Sequence, residues 1–180
     1  MNRSLVLSIL CDDKPGIVEL LASTIKGHGG NWLESNMSHL AGKFAGILQV
    51  NVSDADIDTL KSALQQLNAK GIQVITSEVG VVSNSNSEHK AMHFTLVGND
   101  RPGIVSELSQ AFASHHINME SIETNCSSMP WSGDPMFTAR GTLSLPDKVN
   151  MDQLMDQLDQ ISDKLGVDVE IDEKENSTAE

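Results

Sequence analysis

The sequence predicts an α+β chain made of two copies of one βαββαβ unit. Three observations carry this. Asp13-Lys14-Pro15-Gly16-Ile17-Val18 recurs as Asp100-Arg101-Pro102-Gly103-Ile104-Val105, and the same offset of 87 residues relates Leu21 to Leu108, His28 to His115 and Asn31 to Asn118. A polar, small-residue stretch, Ser83-Asn84-Ser85-Asn86-Ser87, separates the copies and reads as a linker. Each copy shows the same order of strand-like and helix-like periodicity. One period of this length in two copies is a duplicated domain, not a solenoid.

The elements follow in order. Leu5 to Leu10 is a short apolar run of the kind that forms a buried strand. Asp13-Lys14-Pro15-Gly16 breaks it, and Pro15 is expected in the first turn of a helix, where a missing N–H costs nothing. Ile17, Leu21 and Ile25 then recur at helical spacing, and Gly27, Gly29 and Gly30 stop the helix. Trp32 to Leu40 and Phe44 to Val52 are extended runs around a Gly42 turn, hence a hairpin. Ser53 with Asp56 resembles a capping box ahead of the stripe Ile57, Leu60, Leu64 and Leu67. Gly71 ends that helix, and Ile72 to Val79 is the last strand.

The second copy repeats the order. Met92 to Val97 is a strand, and Ile104 to His115 a helix. Ile117 to Cys126 and Met136 to Leu145 form the hairpin. Leu154, Leu158, Ile161 and Leu165 mark the second helix, and Val167 to Ile171 the final strand. The βαββαβ order implies a ferredoxin-like unit: a four-stranded antiparallel sheet with both helices on one face. The expected organisation is a first domain over 1–82, a linker over 83–90, a second domain over 91–173 and an acidic tail over 174–180. Units of roughly 80 residues bury a marginal core, so the halves are expected to share an interface, dimerise, or both.

Composition narrows the function. The 180 residues carry 25 acidic side chains against 12 Lys and Arg, a net charge of −13. A negative surface repels phosphate, and four Phe with two Trp are too few for a base-stacking platform. Direct nucleic-acid binding is therefore not expected. No apolar run approaches the roughly 20 residues that span a bilayer, and no membrane partner is expected. The start of the chain shows no cleavage site, and Cys11 and Cys126 lie on strand-like runs and read as buried thiols. The expected setting is a reducing, cytoplasmic one.

The repeated turn is the most informative local feature. It joins a buried strand to a helix start, where N–H groups lack internal partners and the dipole is positive. Gly16 and Gly103 have no Cβ, so another molecule can approach the backbone. Such a turn can hold a carboxylate, while Asp13 or Asp100 accepts a bond from a ligand ammonium. These are the two opposed needs of an amino acid. The alternative is a capped tight turn that binds nothing. Asn31 and Asn118, at matching places after the helix, offer an amide to a ligand or bond their own backbone.

Other candidates divide similarly. Trp131 lies in Met129-Pro130-Trp131-Ser132-Gly133-Asp134-Pro135, a loop without a counterpart in the first half. It is either a preorganised partner contact or a cover for its own domain. Residues 1–87 hold 8 acids and 6 bases, and residues 88–180 hold 17 acids and 6 bases. Asp152, Asp156, Asp159 and Asp163 share one helix face, either a solvated surface or a docking surface for a basic partner. His115-His116 is not a metal pair, since adjacent helical residues diverge and no ligand cluster supports them. Cys11 precedes the turn as a packed thiol or, at a helix start, an activated one. No Gly-rich phosphate loop, HExxH or GxSxG occurs, so catalytic residues and cofactors are not expected.

The βαββαβ order with Asp-x-Pro-Gly-Ile-Val between the first strand and helix resembles the ACT domain, a regulatory module that commonly binds amino acids. Gly30-Asn31-Trp32-Leu33-Glu34-Ser35, with Gly42-Lys43-Phe44-Ala45-Gly46, resembles the glycine cleavage system transcriptional repressor family, built from two ACT domains. Pro130-Trp131-Ser132-Gly133-Asp134-Pro135-Met136-Phe137 resembles that family's longer hairpin loop, with Trp131 where Met is usual.

The resemblance implies a regulator, not an enzyme. It would sense glycine and restrain a LysR-type activator of the glycine-cleavage genes by protein contact. It implies ligand sites at Asp13, Gly16, Ile17 and Asn31, or at Asp100, Gly103, Ile104 and Asn118, between the turn of one domain and the strands of a neighbour. A sensor of the same fold serving an enzyme or transporter is the competing expectation.

Overall fold

The computed structural model describes residues 2–79, 90–129, 133–146 and 148–173. Within them the chain divides into two units, Met1–Asn84 and Ser85–Glu180. The expected linker and acidic tail fall almost wholly outside the described residues, as does Trp131.

The first unit contains β1 (Asn2–Asp12), α1 (Ile17–Gly27), β2 (Asn31–Leu40), β3 (Lys43–Ser53), α2 (Ile57–Gln66) and β4 (Gln73–Glu78), with a 3₁₀ turn at Leu67–Lys70. The second contains β5 (Lys90–Asn99), α3 (Ile104–Ser114), β6 (Asn118–Ser128), β7 (Pro135–Leu145), α4 (Met151–Leu165) and β8 (Val167–Glu173). Both sheets are antiparallel, ordered β2-β3-β1-β4 and β6-β7-β5-β8. The duplicated ferredoxin-like architecture is therefore present in both halves.

Each sheet is apolar on the face its helices cover. Along β1 side chains alternate faces: Leu5, Leu7, Ile9 and Cys11 are buried, and they meet Leu21 and Ile25 of α1 and Leu60 and Leu64 of α2 in one core. The second core joins Phe94, Leu96 and Leu143 to Leu108 and Phe112 of α3 and to Leu154, Leu158, Ile161 and Leu165 of α4. The Phe94 and Phe112 rings pack tilted, 5.5 Å between centroids.

Two local details differ from the sequence reading. Pro15 is not in the first helical turn. α1 begins at Ile17 with Gly16 as its N-cap, so Pro15 precedes the cap. Pro15 and Gly16 take the central places of a turn whose glycine, at φ 90° and ψ −1°, has the angles of the third residue of a type II turn. Cys126 is exposed, not buried, because β6 is an edge strand open to solvent along most of its length. The first helix of each unit ends on a left-handed residue, Gly29 at φ 73° and His116 at φ 58°. The following amide closes the end in both, Gly30 N–H donating to Ile25 O and Ile117 N–H to Phe112 O.

Candidate functional site

The repeated turns are built alike. In each, the main strand of the sheet runs into the turn, and a glycine in left-handed backbone starts the helix: Gly16 at φ 90°, Gly103 at φ 102°. Their carbonyls accept the first helical bonds, from Leu20 N–H and Glu107 N–H, both at 2.9 Å. Neither helix has a side-chain N-cap bond. Asp13 and Asp100 therefore do not cap their helices. The orphan N–H groups of the first turn are left to solvent or a ligand. Both aspartates and both glycines are exposed, and a Cβ built on either glycine meets nothing within 4 Å. The turns thus have open space in front of them.

Sequence reasoning missed the third component, the tip of the hairpin. Asp13 N–H donates to Gly42 O, and Asp100 N–H donates to Pro135 O, each at 2.9 Å. The hairpin tip buttresses the turn in both units. In the first, Lys43 also bonds Asp12 at 2.5 Å, and Lys14 lies 3.6 Å from the same carboxylate. The Lys43 bond, reinforced by the charges of Lys43 and Lys14, holds the Asp12 carboxyl below the usual range. Counting the hairpin register back from Gly42 would have found this pairing. In the second unit, Arg101 reaches toward the end of α4: a Cβ on Gly166 would sit 3.9 Å from its Nη2. A cation there suits the negative end of the helix.

The remaining candidates are placed differently. Asn31 opens β2 opposite Asn51, which pairs with Ser4 of β1. The turn lies beyond the other end of β1, and Ser4 to Asp13 spans about 30 Å at roughly 3.3 Å per residue. Asn118 is likewise level with Ala91, far along β5 from Asp100. Within one unit, then, the turn and its asparagine stand at opposite ends of the sheet. The crossing helix returns the chain to the opposite end of the sheet. Ile17 is half-buried against the first core, and Ile104 is buried in the second; both anchor the helix start.

Asp152, Asp156, Asp159 and Asp163 are all exposed on α4, opposite its buried stripe. His28 Nδ1 lies 2.8 Å from Thr24 O at the end of α1, as a helix-end residue does. His115 instead bonds Gln157 Oε1 across to α4 at 3.0 Å. Burial first, then Asp12 and Asp13, pushes the Cys11 thiol pKa up, so Cys11 is a packed thiol that donates to Phe44 O at 3.7 Å. Among the described residues no group of three His, Cys, Asp or Glu is placed to hold a metal. No helix among them is long and apolar enough to cross a membrane.

The comparisons with known proteins agree with this architecture. ACT-domain models match residues 3–82 and residues 85–168. The chain is a tandem ACT-domain protein, of a family of small-molecule-sensing regulatory modules. No curated protein matches its sequence. Solved structures align over nearly the whole chain, among them the following two. A protein of unknown function from Galdieria sulphuraria is 25% identical, with TM-score 0.84 over 96% of this chain and 99% of that one. A candidate glycine cleavage system transcriptional repressor is 18% identical, with TM-score 0.67 over 96% and 97%.

Proposed function

We propose that this protein is a glycine-responsive regulator of the glycine cleavage system transcriptional repressor type. It acts without catalysis, in the cytoplasm, as a homo-oligomer. It restrains a LysR-type activator by protein contact and leaves DNA to that partner. The observation that carries the reading is the pair of exposed turns, each with a left-handed glycine at an uncapped helix start and an aspartate beside it. A carboxylate is matched by the helix N–H groups and an ammonium by Asp13 or Asp100. Asn31 and Asn118, at the far ends of their sheets from these turns, each offer a further amide to a ligand. The acidic face of α4 is the surface offered to the activator, and Trp131 is a further candidate contact.

Calorimetry with the standard amino acids tests the sensor. Glycine is expected to release heat, and Asp13→Ala with Asp100→Ala to abolish it. These aspartates are exposed and do not cap, so their removal reports on ligand and not on folding. Absence of heat with every amino acid overturns the reading. Capture of partners with and without glycine then separates a repressor from a sensor serving an enzyme. Reversing Asp152, Asp156, Asp159 and Asp163 to Lys is expected to weaken capture of a LysR-type protein, and unchanged capture returns that face to solvent.

A further inference from the structure

The second turn and the end of α4 are built against each other. Gly98 pairs with Val167 in the sheet, and a Cβ on Gly98 would meet Gly166 O at 2.9 Å, so the strand before the turn lies against the helix end. Arg101, inside the turn between Asp100 and Gly103, carries its guanidinium to the same place, with Nη2 3.9 Å and Cζ 4.0 Å from a Cβ built on Gly166. Lys164, in the last turn of α4, bonds Glu107 at 2.5 Å, and Glu107 N–H closes the first bond of α3 onto Gly103 O. The last turn of a helix holds carbonyls without internal partners and the negative end of the dipole. Arg101 therefore stands where a cation is stabilising, and it pairs with no described carboxylate.

The first unit provides an internal comparison. There Lys14, the counterpart of Arg101, lies 3.6 Å from Asp12. In the second unit Asn99 takes the place of Asp12 and gives Arg101 no charge to pair with. Leu20, the counterpart of Glu107, offers no carboxylate to the second helix. α2 gives way to the 3₁₀ turn Leu67–Lys70 before Gly71, whereas α4 runs unbroken to Gly166. A Cβ on Gly71 meets nothing within 4 Å. One fold thus carries a turn linked to its second helix and a turn that is not. The linked helix is the one with Asp152, Asp156, Asp159 and Asp163 on its surface.

We propose that Arg101 relays ligand binding at the second turn to the acidic face of α4. The relay presupposes the proposed function, with an amino acid at the turn and a partner on α4. Two arrangements of one side chain define it. Without ligand the guanidinium lies at the end of α4 and complements its carbonyls. A carboxylate bound at the start of α3 is the stronger partner. A planar guanidinium bonds both carboxylate oxygens, and a full charge exceeds the fraction of a charge at a helix end. Arg101 then leaves α4, whose last turn loses its cation and opens more readily. Asp163 lies in that turn, so the change reaches the acidic face directly. By linkage, a partner that favours one state of α4 changes the affinity of the turn for its ligand by the same factor. The first turn, with Lys14 turned to Asp12, has no such side chain to give up.

Hydrogen exchange of the full chain reads the relay at Gly166 N–H, which donates to Ser162 O at 2.8 Å. Saturating glycine is expected to speed its exchange about two- to fivefold, the range set by one cation at a helix end. Arg101→Gln should show the faster exchange without glycine and no further response to it, while calorimetry still records glycine heat with a raised dissociation constant. Arg101→Lys, which keeps the charge, should restore slow exchange without glycine. Lys14→Gln, the same change in the first unit, should leave Gly166 as in the wild type. Arg101 is exposed, so circular dichroism is expected to show an unaltered fold. Glycine heat with no change at Gly166 in the wild type overturns the relay and leaves the sensor standing. A glycine response that survives in Arg101→Gln overturns the relay too. Absence of heat overturns the sensor reading itself, and the relay with it.

Discussion

At the residue scale, Gly16 and Gly103 hold a backbone conformation before they hold anything else. At φ 90° and 102° a Cβ is strained even though no atom lies within 4 Å to obstruct it. Gly16→Ala and Gly103→Ala are each expected to cost about 1–2 kcal/mol, the left-handed penalty, measured by urea unfolding. A bulky substitution there would confound binding with folding, which is why the aspartates are the better probe of the turn. Gly98 has a different reason. It is the repeat counterpart of Cys11, and a Cβ there would meet Val167 Cγ1 at 2.5 Å. β8 leaves no room for a side chain, and this close approach excludes a second thiol from that place.

Asp12 gives a pH prediction at the same scale. Its carboxyl is held low by the Lys43 bond. The stabilisation is present above the unfolded carboxylate pKa and is lost as pH falls through the lower folded value. Both partners are exposed, so the effect on global stability is small. NMR titration should find the Asp12 pKa below the usual range in the wild type and raised toward it in Lys43→Met.

At the element scale, the helices begin in two ways. α1 and α3 start on glycine with no side-chain bond to their first N–H groups. α4 starts on Asn150, whose Oδ1 accepts from Gln153 N–H at 3.2 Å. α2 starts on Asp56, also without a side-chain bond to its first N–H groups, so an open start is shared by three of the four helices among the described residues. Asn150→Ala is expected to cost about 1 kcal/mol in chemical unfolding. The hairpin tips carry the complementary role, since Gly42 and Pro135 accept the aspartate amides and fix both turns against their sheets.

At the scale of the whole molecule, two cores stand side by side in the sequence, each complete in its own residues. Leu64→Ala and Leu158→Ala remove fully packed side chains from different cores, and each is expected to cost about 2–5 kcal/mol. Hydrogen exchange should show lost protection in the first unit for Leu64→Ala and in the second for Leu158→Ala. The charge follows the same division. Residues 1–87 carry nearly balanced charge, whereas the second unit presents acid on both β8 and α4.

Much of this was legible before folding. The 87-residue repeat, the period of two in the strands and the helical stripes of leucine determine element order, core membership and the place of the turns, because these are local consequences of side-chain alternation. Their limits are equally physical. Pro15 and Gly16 follow type II turn geometry, not helix propensity, and Cys126 is exposed because its strand lies at a sheet edge. The tertiary structure alone decided that Asn31 stands at the far end of its sheet from Asp13, that the hairpin tips hold the turns, and that Arg101 reaches the end of α4. Those relations depend on which strands pair and in which register, and pairing is set by long-range packing that no stretch of neighbouring residues encodes.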